Sequence, residues 1–323
     1  MVYQDDFISS WVRKPLDHAI FLTGPTASGK SQVAVELAAR IGAEIISVDS
    51  MAVYREMDIG TAKPTPDARE RIPHHLIDLV PPTDDYSVSQ FVQDAHSQAD
   101  SIRARGRNVL LVGGTPLYLK SLMCGMFLGP SADWEFRAAV EQDIETYGIE
   151  ALRERLMQVD PLSAHRILPG DKRRMIRALE VAKLTGAPLS HWQTQFEKFS
   201  GPAHSKAFVI QWDRGTLHRR VDSRVEGMFS RGLLDEVRGL RDRYGRLGRT
   251  ASQAVGYKEP LAHLAGELNC DEMVEQVKAH TRQFVRRQEI WFRSMPGLVP
   301  VAVGNEADLC NAASTIASAL ENR

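Results

Sequence analysis

Residues 24–31 read Gly-Pro-Thr-Ala-Ser-Gly-Lys-Ser, and no other stretch restricts the fold as tightly. The pattern G-x-x-x-x-G-K-[ST] works where a buried strand runs into a helix. There, successive N–H groups can converge on one anion, and the helix N-terminus adds partial positive charge. The flanks fit. "AIFLTG" (19–24) is a short apolar run, and "SQVAVELAARIG" sets Val33, Leu37 and Ile41 on one side with Gly42 to end it. Gly24, Thr26, Ala27, Ser28, Gly29, Lys30 and Ser31 are therefore candidates for holding a diphosphate. Lys30 would reach the terminal phosphate, and the Ser31 hydroxyl would complete a Mg²⁺ shell.

Two more apolar runs, "EIISVDS" (44–50) and "NVLLVGGT" (108–115), do not alternate with polar residues and read as buried parallel strands. Between them, Ser87 or Ser89 can cap a helix whose Phe91, Ala95, Ala99 and Ile102 share a stripe. Strand, helix, strand in sequence implies βαβ units with right-handed crossovers. The expected fold is α/β, with a P-loop NTPase-like parallel sheet. From about residue 122 the periodicity turns helical, with Trp134 and Trp192 as candidate core, until "KAFVIQWD" (206–213) reads as a strand again. Long helices are expected from there to the end. The organisation predicted is an extension over 1–17, an α/β core over 18–121 plus 203–323, and an all-helical insertion over 122–202.

The chain of 323 residues carries a formal charge of −1, so any nucleic-acid surface must be a local patch. Its 3 cysteines are far apart, with no CxxC pair, which predicts neither a disulfide framework nor a zinc finger and fits a reducing cytoplasm. The N-terminus carries Asp5 and Asp6 and lacks the apolar run of a signal peptide. No apolar stretch approaches the roughly 18–20 residues of a membrane span. His74-His75 reads as loop packing rather than a metal pair.

The loop alone specifies a diphosphate with magnesium and leaves the reaction open. An NTPase usually also places an acid at the end of a neighbouring strand. The third strand here ends "LLVGGTPLY", without one. Asp49 ends the second strand, on the rim where open α/β sheets bind ligands. It could hold the metal, act as a general base, or simply cap the following segment.

In order, "GPTASGKS", "ISVDSMAVYREMDIGTAKP", "PHHLIDLV", "LLVGGTPLYLKSL", "DKRRMIRALEV", "QAVGYKE" and "RQFVRRQEIWFR" resemble the tRNA dimethylallyltransferase (tRNA isopentenyltransferase) family over about residues 18–295. The resemblance implies transfer of a dimethylallyl group from its diphosphate to N6 of adenosine 37 in the anticodon stem-loop of tRNA, with Mg²⁺, by a cytoplasmic monomer. It makes Asp49 the general base and Arg224 a pyrophosphate ligand, with Arg220 one helical turn earlier. Thr115, Arg137 and three stretches match tRNA contacts: Asp49-Ser50-Met51-Ala52, Arg173-Arg174-Met175-Ile176-Arg177 and Gln253-Ala254-Val255-Gly256-Tyr257-Lys258. Arg173, Arg174 and Arg177 share one helical side, as do Lys278, Arg282, Arg286 and Arg293 further on; each stripe is either a phosphate clamp or a solvated face. The rival readings are a small-molecule kinase, an isopentenyltransferase acting on free AMP, and an inactive RNA-binding module.

Overall fold

The structure is a computed structural model and describes residues 12–193 and 205–321. These fall into two compact units: residues 16–123 with 205–321, and residues 12–15 with 124–193.

The larger unit is built on six strands: β2 (Ile20–Thr23), β3 (Ala43–Val48), β4 (His74–His75), β5 (Asn108–Gly113), β7 (Lys206–Gln211) and β8 (Leu298–Ala302). The smaller unit contributes β1 (Val12–Arg13) and β6 (Met126–Phe127), which pair antiparallel. The six-stranded sheet is parallel throughout, in the order β4-β3-β5-β2-β7-β8. Its inner strands read as unbroken apolar runs because both faces are covered. On one face Leu22, Ile45, Leu110 and Phe208 pack with Val33 and Leu37 of the helix Lys30–Ile41 and with Leu309 and Ile316 of the helix Glu306–Glu321. Toward the other face the helix Val88–Ala104 buries Phe91, Val92, Ala95, Ala99 and Ile102. Ser87 starts that helix with a full capping box, its side chain on the Gln90 N–H and Gln90 on its own N–H. Ser89 lies inside the helix.

Two strands escape the sequence pattern. His74 and His75 form a short edge strand beside Ile45 and Ile46 rather than a loop. His75 meets the buried Glu44 carboxylate at 2.7 Å, so the pair belongs to the sheet edge. Residues expected to be helical or connecting include β8, whose Pro300 pairs opposite Val209. Proline removes a donor, which only an edge strand tolerates, and β8 is the edge.

In the smaller unit, helices span Trp134–Val159, Pro161–Arg166, Lys172–Thr185 and Leu189–Trp192. The first is two helices joined at Gly148, whose φ of 82° breaks the run. Leu156, Met175, Leu179 and Trp192 share one core, where the Trp192 ring stacks on Phe127 with centroids 4.9 Å apart. Trp134 corrects the expectation of a core residue: it is 59% exposed, with the Arg137 guanidinium 5.0 Å from its ring centroid. It occupies the first position after the Asp133 cap, and the inward side of that first helix is carried by Val140, with Phe136 and Ile144 packed against the same core.

Candidate active site

The carboxyl ends of β2, β3 and β5 meet at one rim, because β5 lies between the other two. Gly113 permits that closeness. A Cβ there would stand 2.0 Å from the Val48 carbonyl oxygen, so any side chain would force β3 and β5 apart.

The loop after β2 is held from outside. The Thr26 N–H donates to Gln288 Oε1 at 2.9 Å, Trp212 Nε1 donates to the Ser28 carbonyl at 3.0 Å, and Arg220 Nε donates to the Ala27 carbonyl at 2.9 Å. These bonds stabilise Ala27 at φ 63°, a left-handed conformation that a non-glycine residue adopts only when its surroundings enforce it. With two carbonyls turned outward, the N–H groups of Ala27, Gly29, Lys30 and Ser31 find no acceptor among the described residues. Gly29, at φ 82°, leads into the helix that begins at Lys30 without a side-chain cap. A helix N-terminus left open in this way is an anion site. Two of the candidate amides are already used, Thr26 by Gln288 and Ser28 by the Pro25 carbonyl at 3.3 Å. The Ser28 hydroxyl is fully buried and unpaired.

Among the described residues Lys30 makes one hydrogen bond, to the Pro25 carbonyl at 3.4 Å. Desolvation and the Arg224 guanidinium push it down to about 8, while Asp49 acts in the opposite direction. Arg224, on the helix Arg214–Ser230, is likewise held below its ordinary value by desolvation; Asp49 opposes this and Arg231 adds to it. Lys30, Arg224 and Asp49 thus share one electrostatic neighbourhood. Arg220 differs: it forms an ion pair with Glu306 and lies 4.4 Å from the Trp212 ring centroid, serving the outside of the loop.

Asp49 directs Oδ1 to the N–H groups of Met51 at 2.8 Å and Ala52 at 3.3 Å, the local capping role. Oδ2 accepts no hydrogen bond among the described residues, which leaves a carboxylate oxygen for chemistry. Thr115 fixes the same segment: its Oγ1 accepts the Ser50 N–H at 3.0 Å, and its N–H donates to the Val48 carbonyl at 3.2 Å.

Gln253–Lys258 also lies in this unit and braces the chain after Asp49. The buried Tyr257 hydroxyl donates to Glu236 Oε1 at 2.6 Å, and Glu236 accepts the N–H groups of Asp58, Ile59 and Gly60. Gly256 donates its N–H to the buried Glu259 at 2.8 Å. Gln253 and Lys258 are exposed, and Ala254 and Val255 half-buried.

In the helical unit, Arg173 and Arg174 are exposed on the helix Lys172–Thr185, whereas Met175 and Ile176 are buried. Arg137 and Arg177 are tied to Glu180, itself 0% exposed, which also accepts the Asp133 N–H at 2.8 Å. Those two arginines satisfy a buried carboxylate, and Arg174 makes a looser pair with Asp171 at 3.3 Å.

Sequence reasoning missed Gln288, Trp212 and the outward role of Arg220. One signal was available for the first. Gln288 occupies a position on the apolar stripe of its helix, with Val277, Val285 and Phe292.

The family model described as IPP transferase matches residues 52–295. The chain is 49% identical over 286 residues to the tRNA dimethylallyltransferase of Rhodopirellula baltica, with 86% of each chain covered. It is 44% identical over 274 residues to that of Geobacter metallireducens, covering 85% of this chain and 89% of the relative. Among solved structures, the tRNA isopentenylpyrophosphate transferase of Bacillus halodurans is 36% identical with a TM-score of 0.67, covering 96% of this chain and 97% of that one. A eukaryotic dimethylallyltransferase, solved in snapshots of its action on tRNA, is 28% identical with a TM-score of 0.78, covering 96% and 79%.

Proposed function

We propose, from the premise that this chain belongs to the IPP transferase family, that it is a tRNA dimethylallyltransferase. It transfers the dimethylallyl group of dimethylallyl diphosphate to N6 of adenosine 37 and releases diphosphate. The observation that carries this reading is the shared neighbourhood of Lys30, Arg224 and Asp49 at the strand ends.

The donor has an allylic C–O bond whose oxygen gains negative charge as it breaks. The open amides of Ala27, Gly29, Lys30 and Ser31, with Lys30 and Arg224, stabilise that charge as it develops. Two cations with no ion pair among the described residues suit a polyanionic leaving group. The acceptor amine is a weak nucleophile because its lone pair is delocalised into the purine. Asp49 Oδ2 takes its proton as the C–N bond forms, a contribution of roughly 10²–10⁴-fold. Oδ1 stays on Met51 and Ala52 and holds the carboxylate in orientation.

Magnesium fits as part of the donor complex. The exposed Ser31 hydroxyl at the helix N-terminus suits one position of its shell, with phosphate oxygens and water in the others. The ion would neutralise charge on the departing diphosphate.

An adenine in a stacked loop must be extruded to react, at a cost of order a few kcal/mol. Arg173 and Arg174 are exposed cations suited to an RNA backbone, and the exposed Trp134 ring beside Arg137 adds an aromatic face. Thr115 and Ser50, hydrogen-bonded to each other, and Ala52, whose N–H holds Asp49, act on the acceptor side by orienting the carboxylate. No described helix is long and apolar enough to cross a membrane.

The test is a transfer assay with radiolabelled dimethylallyl diphosphate offered an anticodon stem-loop or free AMP, with and without ATP. Label in the stem-loop alone, independent of ATP, is expected. Label in AMP would move the activity to the free nucleotide, and a requirement for ATP hydrolysis would make the loop a kinase loop.

A further inference from the structure

Gln288 is 1% exposed in the helix Cys270–Ser294, yet both polar atoms of its carboxamide bond backbone segments far away in sequence. Oε1 accepts the Thr26 N–H at 2.9 Å, and Nε2 donates to the Gly114 carbonyl at 2.6 Å. A neutral carboxamide presents an acceptor and a donor side by side, which neither a carboxylate nor an apolar side chain of that length can do. The packing is close. A Cβ on Gly114 would stand 2.6 Å from Gln288 Nε2, 3.2 Å from the Gly24 carbonyl oxygen and 3.4 Å from Lys30 Nζ.

We propose that Gln288 is a positioning residue that fixes the donor cradle relative to the base; this rests on the transfer reaction inferred above. The path is continuous. Thr26 opens the phosphate loop, and Gly114 precedes Thr115, which bonds Val48 on one side of Asp49 and Ser50 on the other. One amide therefore ties the residues that grip the leaving group to the turn that orients the carboxylate. Without it β2 and β5 remain paired up to Thr23 and Gly113, but beyond that register Thr26 and Gly114 lose their direct tie, and the spacing from Lys30 to Asp49 is held less tightly. A displacement of about 1 Å between reacting groups costs roughly 10²-fold in rate.

Two variants test this. Gln288→Met keeps the length and removes both bonds. It should lower kcat by roughly ten- to a hundredfold while KM for the stem-loop changes less than about twofold. Gln288→Glu keeps the acceptor and loses the donor while ionised. Protonated, its O–H can serve Gly114 as the amide does, so its kcat relative to the unmodified protein should climb as pH falls and the buried carboxyl takes up a proton. A simple loss of packing gives no such recovery. Amide exchange over residues 24–29, read without substrate, should show a protected Thr26 N–H that Gln288→Met exposes. An unprotected Thr26, a Met variant of unchanged kcat, or a flat pH ratio for the Glu variant would each overturn the assignment. An unmodified protein that transfers nothing would instead sink the transfer reading and leave the exchange result standing.

Discussion

Cations occur in two settings in the larger unit. Along the helix Cys270–Ser294, Lys278 lies between Glu226 at 2.9 Å and Glu275 at 3.0 Å, Arg282 pairs with Asp222, and Arg293 faces Glu289 at 3.8 Å. Hydrogen bonds to Glu226 and Glu275 raise Lys278 above its ordinary value. At the strand ends, Lys30 and Arg224 are desolvated and lowered, with no ion pair among the described residues. In sequence, both sets are just basic residues on helices. The structure separates a surface that has neutralised itself from a pair whose desolvation Asp49 offsets only in part, leaving the remainder for an anion. Arg286 and Arg287, both exposed on the same helix, are the exceptions, with no ion pair among the described residues.

The largest effect is expected on the acceptor side of that pair. Asp49→Asn keeps the Met51 and Ala52 hydrogen bonds and removes the base, so single-turnover transfer should slow by roughly 10²–10⁴-fold while stem-loop affinity holds within about twofold. Equal rates would leave Asp49 as a cap alone. Arg224→Gln comes next, at roughly 10²–10³-fold in kcat, the scale for removing one group that stabilises developing charge. Arg220→Gln and Lys278→Gln serve as contrasts. The first should cost less because it acts on the loop from behind, and the second should change kcat by less than about twofold. If Lys278→Gln matched Arg224→Gln, the distinction between the two settings would fail. The smallest effect concerns the helical unit. Replacing Arg173 and Arg174 with glutamine should flatten the salt dependence of RNA binding by roughly 0.7–0.9 in log–log slope for each phosphate no longer neutralised. Arg177→Gln should act on stability instead, since Glu180 depends on it.

What could be read in advance followed from local rules. The phosphate loop, its flanking strand and helix, and Asp49 at a strand end are dictated within a few residues of one another. Ser87 and Ser89 were indistinguishable by type, and only the reciprocal bond with Gln90 separates them. β8 was invisible because "LVPVA" is short and holds a proline, and its place depends on Phe208 and Val209, far earlier in the chain. Trp134 looked like core by residue type, but the stripe that faces inward starts elsewhere on its helix. Arg220 and Arg224 share one side of one helix, so periodicity could not assign their partners; Ala27, Glu306 and Lys30 do. The Gln288 clamp spans 262 residues of sequence, beyond any local pattern.

The central claim is that Lys30 and Arg224 form a diphosphate site, and titration calorimetry with inorganic pyrophosphate and magnesium tests it directly. Just above pH 8, where Lys30 is partly deprotonated, binding should return it to the ammonium form and draw a proton from the buffer. Affinity should decline as pH rises further. Lys30→Met should abolish that proton uptake and bind at least about tenfold more weakly, by the electrostatics of one missing charge. Identical affinity and proton balance in the two proteins would contradict the central claim.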